Sequence, residues 1–167
     1  LRNLVSNPNS NITKVVDLCP ERRRFVKELY PSINVSENFS TIIEDNSIDA
    51  VVISTPVKTH FKLILECLNA NKHVLVEKPM ATWIADAKMM TTAARQSGVK
   101  LGVAYHMRWH QGHRELARRV WNQEYGEIQT IRAHWTFNSP DSSNWRAHET
   151  LGKWWSLAGV GTHCLDW

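Results

Sequence analysis

Lys78 is the residue whose neighbours best fit it for moving a proton. It follows the apolar run His73-Val-Leu-Val-Glu77 and precedes Pro79, whose ring restricts the turn. Such a run predicts a strand buried on both faces, and a lysine at its carboxyl end is partly desolvated. Desolvation favours the neutral amine, which is the form that accepts a proton from a hydroxyl. A lysine that simply turns outward to solvent is the alternative interpretation.

Asp17 is a second candidate, because it ends a β-type run over residues 12–17. A carboxylate at a strand end can accept hydrogen bonds from both hydroxyls of an adenosine ribose, although a carboxylate in an ordinary turn shows the same pattern. The sequence has no G-x-G-x-x-G loop to cradle a pyrophosphate, since Gly159-Val-Gly161 follows a helical pattern and lacks the third glycine. Either the protein binds no dinucleotide, or the first strand and its loop precede Leu1; Asp17 favours the second explanation.

Three histidines at helical spacing suggest a metal site as a further possibility. His106, His110 and His113 are spaced four and three residues apart, with Glu115 beyond them. No cysteine or further acidic residue joins them at the spacing of a metal site. We therefore predict no metal and interpret these histidines as residues of a helix surface or a cleft.

The composition argues against several classes of protein. The chain has 167 residues, of which 43% are hydrophobic and 22% charged, as in a soluble globular protein. Its net charge of +4 is spread along the chain, and the run Arg22-Arg23-Arg24 falls on a predicted helix as a solvated face, so no nucleic-acid partner is expected. No apolar stretch approaches the ~20 residues of a membrane-spanning helix.

The cysteines indicate a reducing compartment. Cys19, Cys67 and Cys164 are odd in number, lie far apart and form no C-x-x-C pair. A disulfide framework is therefore not expected, and the prediction is a cytoplasmic protein.

Short β-type runs alternate with helical patterns over the first hundred residues. The predicted strands span residues 12–17, 33–35, 50–54, 73–77 and 100–105; the predicted helices span residues 20–30, 40–45, 57–71 and 82–97, the last capped by Thr82 and ended by Gly98. This alternation predicts right-handed crossovers and a parallel, doubly wound α/β sheet. Because ligands bind beyond the carboxyl ends of the strands of such a sheet, Asp17 and residues 54–56, 77–79 and 105–106 are the places to look for a site.

The pattern changes after residue 105. A helix over residues 110–124 and an alternating, half-exposed strand over residues 127–138 are predicted, followed by a loop over 138–145 and helical pieces over 150–167. Seven of the eight tryptophans lie beyond residue 100, and flat indole faces are used both in packing and in sugar-binding clefts. We expect a second domain to begin here.

The quoted segments resemble the glucose–fructose oxidoreductase/inositol dehydrogenase (Gfo/Idh/MocA) family. The resemblance rests on Ala50-Val-Val-Ile-Ser-Thr-Pro56, His60 and Lys72-His-Val-Leu-Val-Glu-Lys-Pro79, with Val15-Val-Asp17 before Pro20-Glu-Arg22 in support. It implies an NAD(P)-binding Rossmann-type domain over residues 1–105 that lacks the family's first strand and glycine loop. The start of an α+β substrate and oligomerisation domain would occupy residues 106–167. Compared with the family, the chain resembles a partial gene product, itself expected to be inactive and to bind NAD weakly or not at all.

The family's activity implies an NAD(P)-dependent dehydrogenase or reductase acting on the CH–OH group of a sugar, polyol or related compound. By this resemblance, Lys78 exchanges a proton with the substrate hydroxyl, and His163 of Gly161-Thr-His-Cys-Leu-Asp166 is the general base or positions that hydroxyl. The residues expected to bind the cofactor are Asp17, Ser54, Thr55, Pro56, His60, Glu77, Lys78 and Pro79; those expected to bind the substrate are Arg108 and His163.

NAD is the expected cofactor, because Asp17 would repel the 2′-phosphate of NADP. The neighbouring Arg22 and Arg23 soften that preference and leave NADP open. The complete protein is expected to form a homo-oligomer.

Gly159 departs from the family pattern. Many relatives carry Asp-x-x-x-His, and the residue four before His163 here is a glycine. Three explanations remain open: Lys78 and His163 suffice, Asp166 orients the imidazole, or this branch uses another arrangement. The same departure keeps open a non-catalytic relative that acts as a sensor or an assembly subunit.

Overall fold

The computed structural model describes residues 1–136 and 156–166, and every strand pair in it is parallel. The strands are β1 (Lys14–Val16), β2 (Asn34–Ser36), β3 (Ala50–Ile53), β4 (His73–Val76) and β5 (Leu101–Val103). In register, Val15 lies opposite Val35, while Val52, Leu75 and Gly102 lie side by side across the other three strands. The parallel α/β fold predicted from the alternation of strands and helices is confirmed.

One short helix precedes the first strand, and the other helices lie between strands or follow the last of them. They are α1 (Arg2–Val5), α2 (Pro20–Leu29), α3 (Ser40–Ile43), α4 (His60–Asn69), α5 (Ile84–Ser97), α6 (Gln111–Trp121) and α7 (Thr162–Leu165). Pro20 opens α2, and Gly98 ends α5 with a φ of 72°, a left-handed conformation that glycine adopts without strain. The predicted cap of α5 at Thr82 is wrong, because Trp83 occupies the N-cap position and makes no side-chain hydrogen bond to the helix.

The strands form two sheets, β2-β1 and β3-β4-β5.

The apolar core lies on one face of the larger sheet. Val51 and Ile53 of β3 and Val74 and Val76 of β4 are buried, and they pack in one cluster with α4 and α5. The fully buried members from the two helices are Ile64, Cys67, Leu68 and Met90.

The opposite face of that sheet is open. Val52 is 46% exposed and Leu75 is 42% exposed. The expectation that β4 is buried on both faces is therefore wrong, and β3, whose apolar run favoured the same burial, is also buried on one face only. Both strands alternate between exposed and buried residues, because the helices that cover them, α4 and α5, lie on one side.

Beyond β5 the chain forms a 3₁₀ turn (His106–Trp109) and the helix α6. The strand predicted over 127–138 is wrong for residues 127–136, which have no regular secondary structure; the last two residues of that prediction, and the loop over 138–145, lie outside the described residues. Residues 156–165 are helical as predicted, with a π-helical segment (Leu157–Gly161) leading into α7; residues 150–155 and 167 of that prediction lie outside the described residues. Among the described residues, no helix has the length and apolarity needed to cross a membrane.

Candidate active site

Asp17 directly follows β1 and faces the start of α2. One carboxylate oxygen accepts the backbone N–H of Cys19 at 2.8 Å, and the other lies 3.6 Å from Nη1 of Arg22. Nη1 of Arg23 donates to the Asp17 carbonyl at 2.7 Å. The side chain retains 31% of its surface. A carboxylate at this strand end is therefore accessible to a hydroxyl donor.

The loop after β3 presents three exposed residues, Ser54, Thr55 and Pro56. The hydroxyl groups of Thr55 and Thr59 lie 2.6 Å apart, and the Thr59 hydroxyl also donates to the carbonyl of Pro56 at 2.8 Å. These contacts fold the loop back onto the 3₁₀ turn Val57–Thr59. The loop therefore has a fixed shape with its polar groups at the surface.

His60 lies beneath this loop. Its ring is 1% exposed, with Nε2 at 2.9 Å from the carbonyl oxygen of Thr55 and Nδ1 at 3.1 Å from the carbonyl oxygen of Pro79. We expected this residue to line a cofactor, and that role stays a prediction. In the structure its ring lies between the loop after β3 and the loop after β4 and contacts both.

Lys78 and its neighbours form the loop after β4. Glu77 is exposed and accepts the backbone N–H of Lys78 at 3.2 Å, and the peptide bond between Lys78 and Pro79 is cis. The Lys78 ammonium donates to the backbone carbonyl of Gly159 and lies 3.5 Å from that of Ala158. The lysine is thus directed to the π-helical segment and is partly buried there.

His163 lies in α7, four residues after Gly159. Its ring is 3% exposed and is surrounded by the rings of Tyr105, His106 and Trp135, at centroid distances of 5.8, 4.8 and 6.0 Å. Burial lowers the pKa of His163, and the nearby Lys78 and His106 lower it further. Within the described residues, Nδ1 of His163 is buried and has no hydrogen-bond partner.

Two contacts connect α7 to the segment after β5. The hydroxyl of Tyr105 lies 2.7 Å from the hydroxyl of Thr162, and Arg108 donates twice to the carboxylate of Asp166, at 2.8 and 2.6 Å. Arg108 was expected to contact a substrate, which stays a prediction; in the structure its guanidinium is hydrogen-bonded to Asp166. Asp166, offered by the sequence as a group that orients the His163 imidazole, is instead hydrogen-bonded to Arg108.

The structure therefore brings together part of the predicted set. The loop of residues 54–56 (the Thr55 loop), His60 and Pro79 form one connected group. Lys78 reaches the segment that leads to His163. Asp17 lies on the smaller sheet, and the hydrogen bonds and ion pair described for it are with α2 and the residues that lead into that helix.

Sequence reasoning missed the carbonyls of Ala158 and Gly159 and the hydroxyl pair of Tyr105 and Thr162. A backbone carbonyl is present at every residue, so the choice of amino acid does not mark it. Two hydroxyl groups 57 residues apart form no spacing pattern that the sequence could reveal.

The chemistry of these groups suits a ligand that carries hydroxyls. An amine beside a buried imidazole nitrogen without a described partner can pair with a hydroxyl or a carbonyl oxygen, because a buried polar atom is stable only when it is hydrogen-bonded. In the described residues, no group of three or more histidine, cysteine or acidic side chains could hold a metal ion.

The family model described as "Oxidoreductase family, NAD-binding Rossmann fold" (Gfo/Idh/MocA) matches residues 1–105. The chain belongs to this family. Its fold is thus the Rossmann fold of an NAD-binding oxidoreductase family.

Curated relatives in the family include dehydrogenases and reductases. The chain is 25% identical to scyllo-inositol 2-dehydrogenase (NADP(+)) of Bacillus subtilis over 92% of its own length and 43% of the relative. It is 35% identical to 1,5-anhydro-D-fructose reductase of Ensifer adhaerens over 75% of its length and 38% of the relative. The chain therefore spans less than half the length of these two proteins.

Solved structures of the family superimpose on the chain. A 3-ketoreductase from Actinomadura kijaniata, in complex with NADP and TDP-benzene, matches with a TM-score of 0.83 and 25% identity over 96% of this chain and 49% of that one. The WlbA dehydrogenase from Bordetella pertussis, in complex with NADH and UDP-GlcNAcA, matches with a TM-score of 0.67 and 26% identity over 71% of this chain and 34% of that one. Both forms of the nicotinamide cofactor thus occur among these neighbours.

Proposed function

We propose that the protein is an NAD(P)-dependent oxidoreductase that transfers hydride between nicotinamide and the CH–OH group of a sugar, a polyol or a related compound. The family and the names of the relatives support this class of reaction. The observation that carries the proposal is the approach of Lys78 to the segment that holds His163, across 81 residues of sequence.

Lys78 acts as the proton shuttle in this proposal. In the oxidation direction its neutral amine takes the proton of the substrate hydroxyl, and the resulting ammonium is stabilised by the carbonyls of Ala158 and Gly159 that already accept it. In the reduction direction the ammonium returns that proton to the developing alkoxide.

His163 positions the substrate oxygen. Its lowered pKa keeps the ring neutral, so Nδ1 can either accept a hydrogen bond from the hydroxyl or donate one to the carbonyl, depending on the tautomer. The surrounding rings exclude water, which strengthens this hydrogen bond.

The cofactor fits the exposed ends of three strands. In this proposal the accessible carboxylate of Asp17 binds the adenosine ribose, and residues 54–56 and Glu77, which are exposed after β3 and β4, contact the rest of the cofactor. When bound, the nicotinamide supplies the hydride acceptor or donor. NAD is proposed ahead of NADP because the Asp17 carboxylate repels a 2′-phosphate, with Arg22 as the residue that moderates this preference.

The experiment replaces Lys78 by alanine in the protein expressed from its complete reading frame. Turnover of a sugar and polyol panel, followed by nicotinamide absorbance, should fall by about 100-fold or more, while cofactor affinity by calorimetry changes little. Lys88→Ala, at an exposed position of α5, is the matched control and should leave both quantities unchanged. Undiminished turnover in Lys78→Ala would overturn the proposal.

A non-catalytic sensor or assembly subunit is the second candidate, and Gly159 favours it. The family resemblance leads us to expect a carboxylate four residues before the histidine, and that position is Gly159, whose backbone carbonyl accepts the Lys78 ammonium. The two candidates separate in the same panel: a wild-type protein that binds cofactor and turns over no substrate supports the second.

A cytoplasmic location and a homo-oligomeric state remain proposals. The three cysteines are all free thiols, which suits a reducing compartment.

A further inference from the structure

The histidine His60 has an unusual pair of hydrogen-bond partners. It is the first residue of α4, it is fully buried, and each ring nitrogen faces a backbone carbonyl oxygen: Nε2 that of Thr55 at 2.9 Å, Nδ1 that of Pro79 at 3.1 Å. The two carbonyls belong to different loops, which follow the adjacent parallel strands β3 and β4. Because a carbonyl oxygen only accepts, both contacts are hydrogen bonds only when each ring nitrogen carries a proton, and in that form one rigid ring connects both loops.

This connection fixes the separation of the two loops. An imidazole has no internal rotation, so contacts to its two nitrogens set the distance between the Thr55 and Pro79 carbonyls. Pro79 directly follows Lys78, whose backbone position thus depends on the ring. The position of the Thr55 loop depends on the same ring through the Nε2 contact.

Packing alone does not explain a histidine here. The core of α4 is supplied by Ile64, Cys67 and Leu68, which are fully buried and apolar. A polar ring among them costs free energy unless its nitrogens are paired, and an aliphatic residue of similar volume would fill the space without that cost.

We propose that His60 is a positioning residue that sets Lys78 against the Thr55 loop, and that it acts through the two loop carbonyls rather than by touching the cofactor. This inference rests on the proposed function of Lys78. In this proposal the two ring nitrogens have separate roles. The Nδ1 contact sets the position of Lys78, and the Nε2 contact sets the position of the loop expected to bind the cofactor.

Two conservative variants separate the contacts. The side-chain amide nitrogen of glutamine lies close to the position of Nε2, and that of asparagine lies close to the position of Nδ1. His60→Gln therefore retains the Thr55 contact and loses the Pro79 contact, while His60→Asn does the reverse. Both are made in the protein expressed from its complete reading frame, with Cys67→Ala as a control for buried damage in the same helix.

The deciding measurement compares the changes in kcat and in KM for NAD between the two variants. In His60→Gln we expect kcat to fall about 10-fold or more and the pH profile of kcat to shift, with KM for NAD within about twofold, because a displaced Lys78 is a misplaced catalytic group. In His60→Asn we expect the larger change in KM for NAD. Cys67→Ala should lower the Tm while kcat, KM and the pH profile stay as in the wild type.

Equal kinetic changes in the Gln and Asn variants, or a lowered Tm with unchanged kinetics, would overturn the positioning role. If both variants fail to fold, the wild-type protein still decides: NMR should show two His60 ring N–H protons, one on each nitrogen, that exchange slowly with solvent, and a ring with a single N–H proton or with rapid exchange contradicts the two contacts. Lys78→Ala is measured alongside. Full turnover in Lys78→Ala overturns the proposed function itself. If Lys78→Ala loses turnover but the two His60 variants show the same kinetic changes as each other, the positioning role alone is overturned.

Discussion

Arg108 binds Asp166 through two parallel hydrogen bonds, Nε to Oδ2 at 2.8 Å and Nη2 to Oδ1 at 2.6 Å. The Asp166 side chain is 8% exposed, so the carboxylate is largely removed from water and is held in one orientation. The pair connects the turn after β5 to the helix that carries His163. It also places a negative charge near the His163 ring, where Asp166 acts to raise the pKa of that imidazole.

Asp166→Asn should lower the pKa of His163 further below its ordinary value. The carboxylate stabilises the imidazolium, and its loss removes one of the few influences that oppose burial and the nearby cations. NMR titration of the His163 ring measures the change. Glu115→Gln, in the surface charge network of α6, is the control and should leave that titration unmoved; a rise in Asp166→Asn would contradict the electrostatic assignment.

Lys78→Met should shift the same titration in the opposite direction. The ammonium disfavours a second positive charge, so its removal raises the pKa of His163. The value should remain below that of an exposed histidine, because burial is the largest cause of the shift. A titration that is identical in wild type and Lys78→Met would show that the two groups are not coupled.

Cys67 should resist alkylation in the folded chain. Burial raises the pKa of its thiol to about 12, so about one thiol in 10⁴ is ionised at pH 8. Cys19 and Cys164 are only half-buried and should react with iodoacetamide first. Mass spectrometry of peptides labelled with and without urea tests this order; rapid native labelling of Cys67 would mean that α4 does not cover the sheet as described.

The 167-residue chain should bind NAD weakly, with a Kd above the micromolar range. Its sequence has no glycine-rich loop, so the backbone N–H groups that usually hold a pyrophosphate at the start of a helix are not supplied. Calorimetry with NAD and with adenosine monophosphate separates the pyrophosphate contribution from that of the ribose site at Asp17. Micromolar affinity for NAD is the result that refutes this prediction.

The order of strands and helices over residues 1–105 was accessible from the sequence alone. The signals are local, because hydrophobic periodicity and backbone restriction act between near neighbours. They are the apolar run of β4, the start of α2 at Pro20, the end of α5 at Gly98 and the segment Glu77-Lys78-Pro79. The same signals nominated Lys78, whereas His163 was nominated by the resemblance to the family, and both assignments stay proposals.

Only the tertiary structure decided which faces and which atoms meet. The exposure of Val52 and Leu75 depends on where α4 and α5 pack, and the pairing of Arg108 with Asp166 joins residues 58 positions apart. The carbonyls that receive Lys78 and the two that receive His60 are backbone groups present at every residue, so no choice of amino acid marks them. Their partners are set by how distant segments fold together, and that is a property of the packed chain rather than of any local pattern.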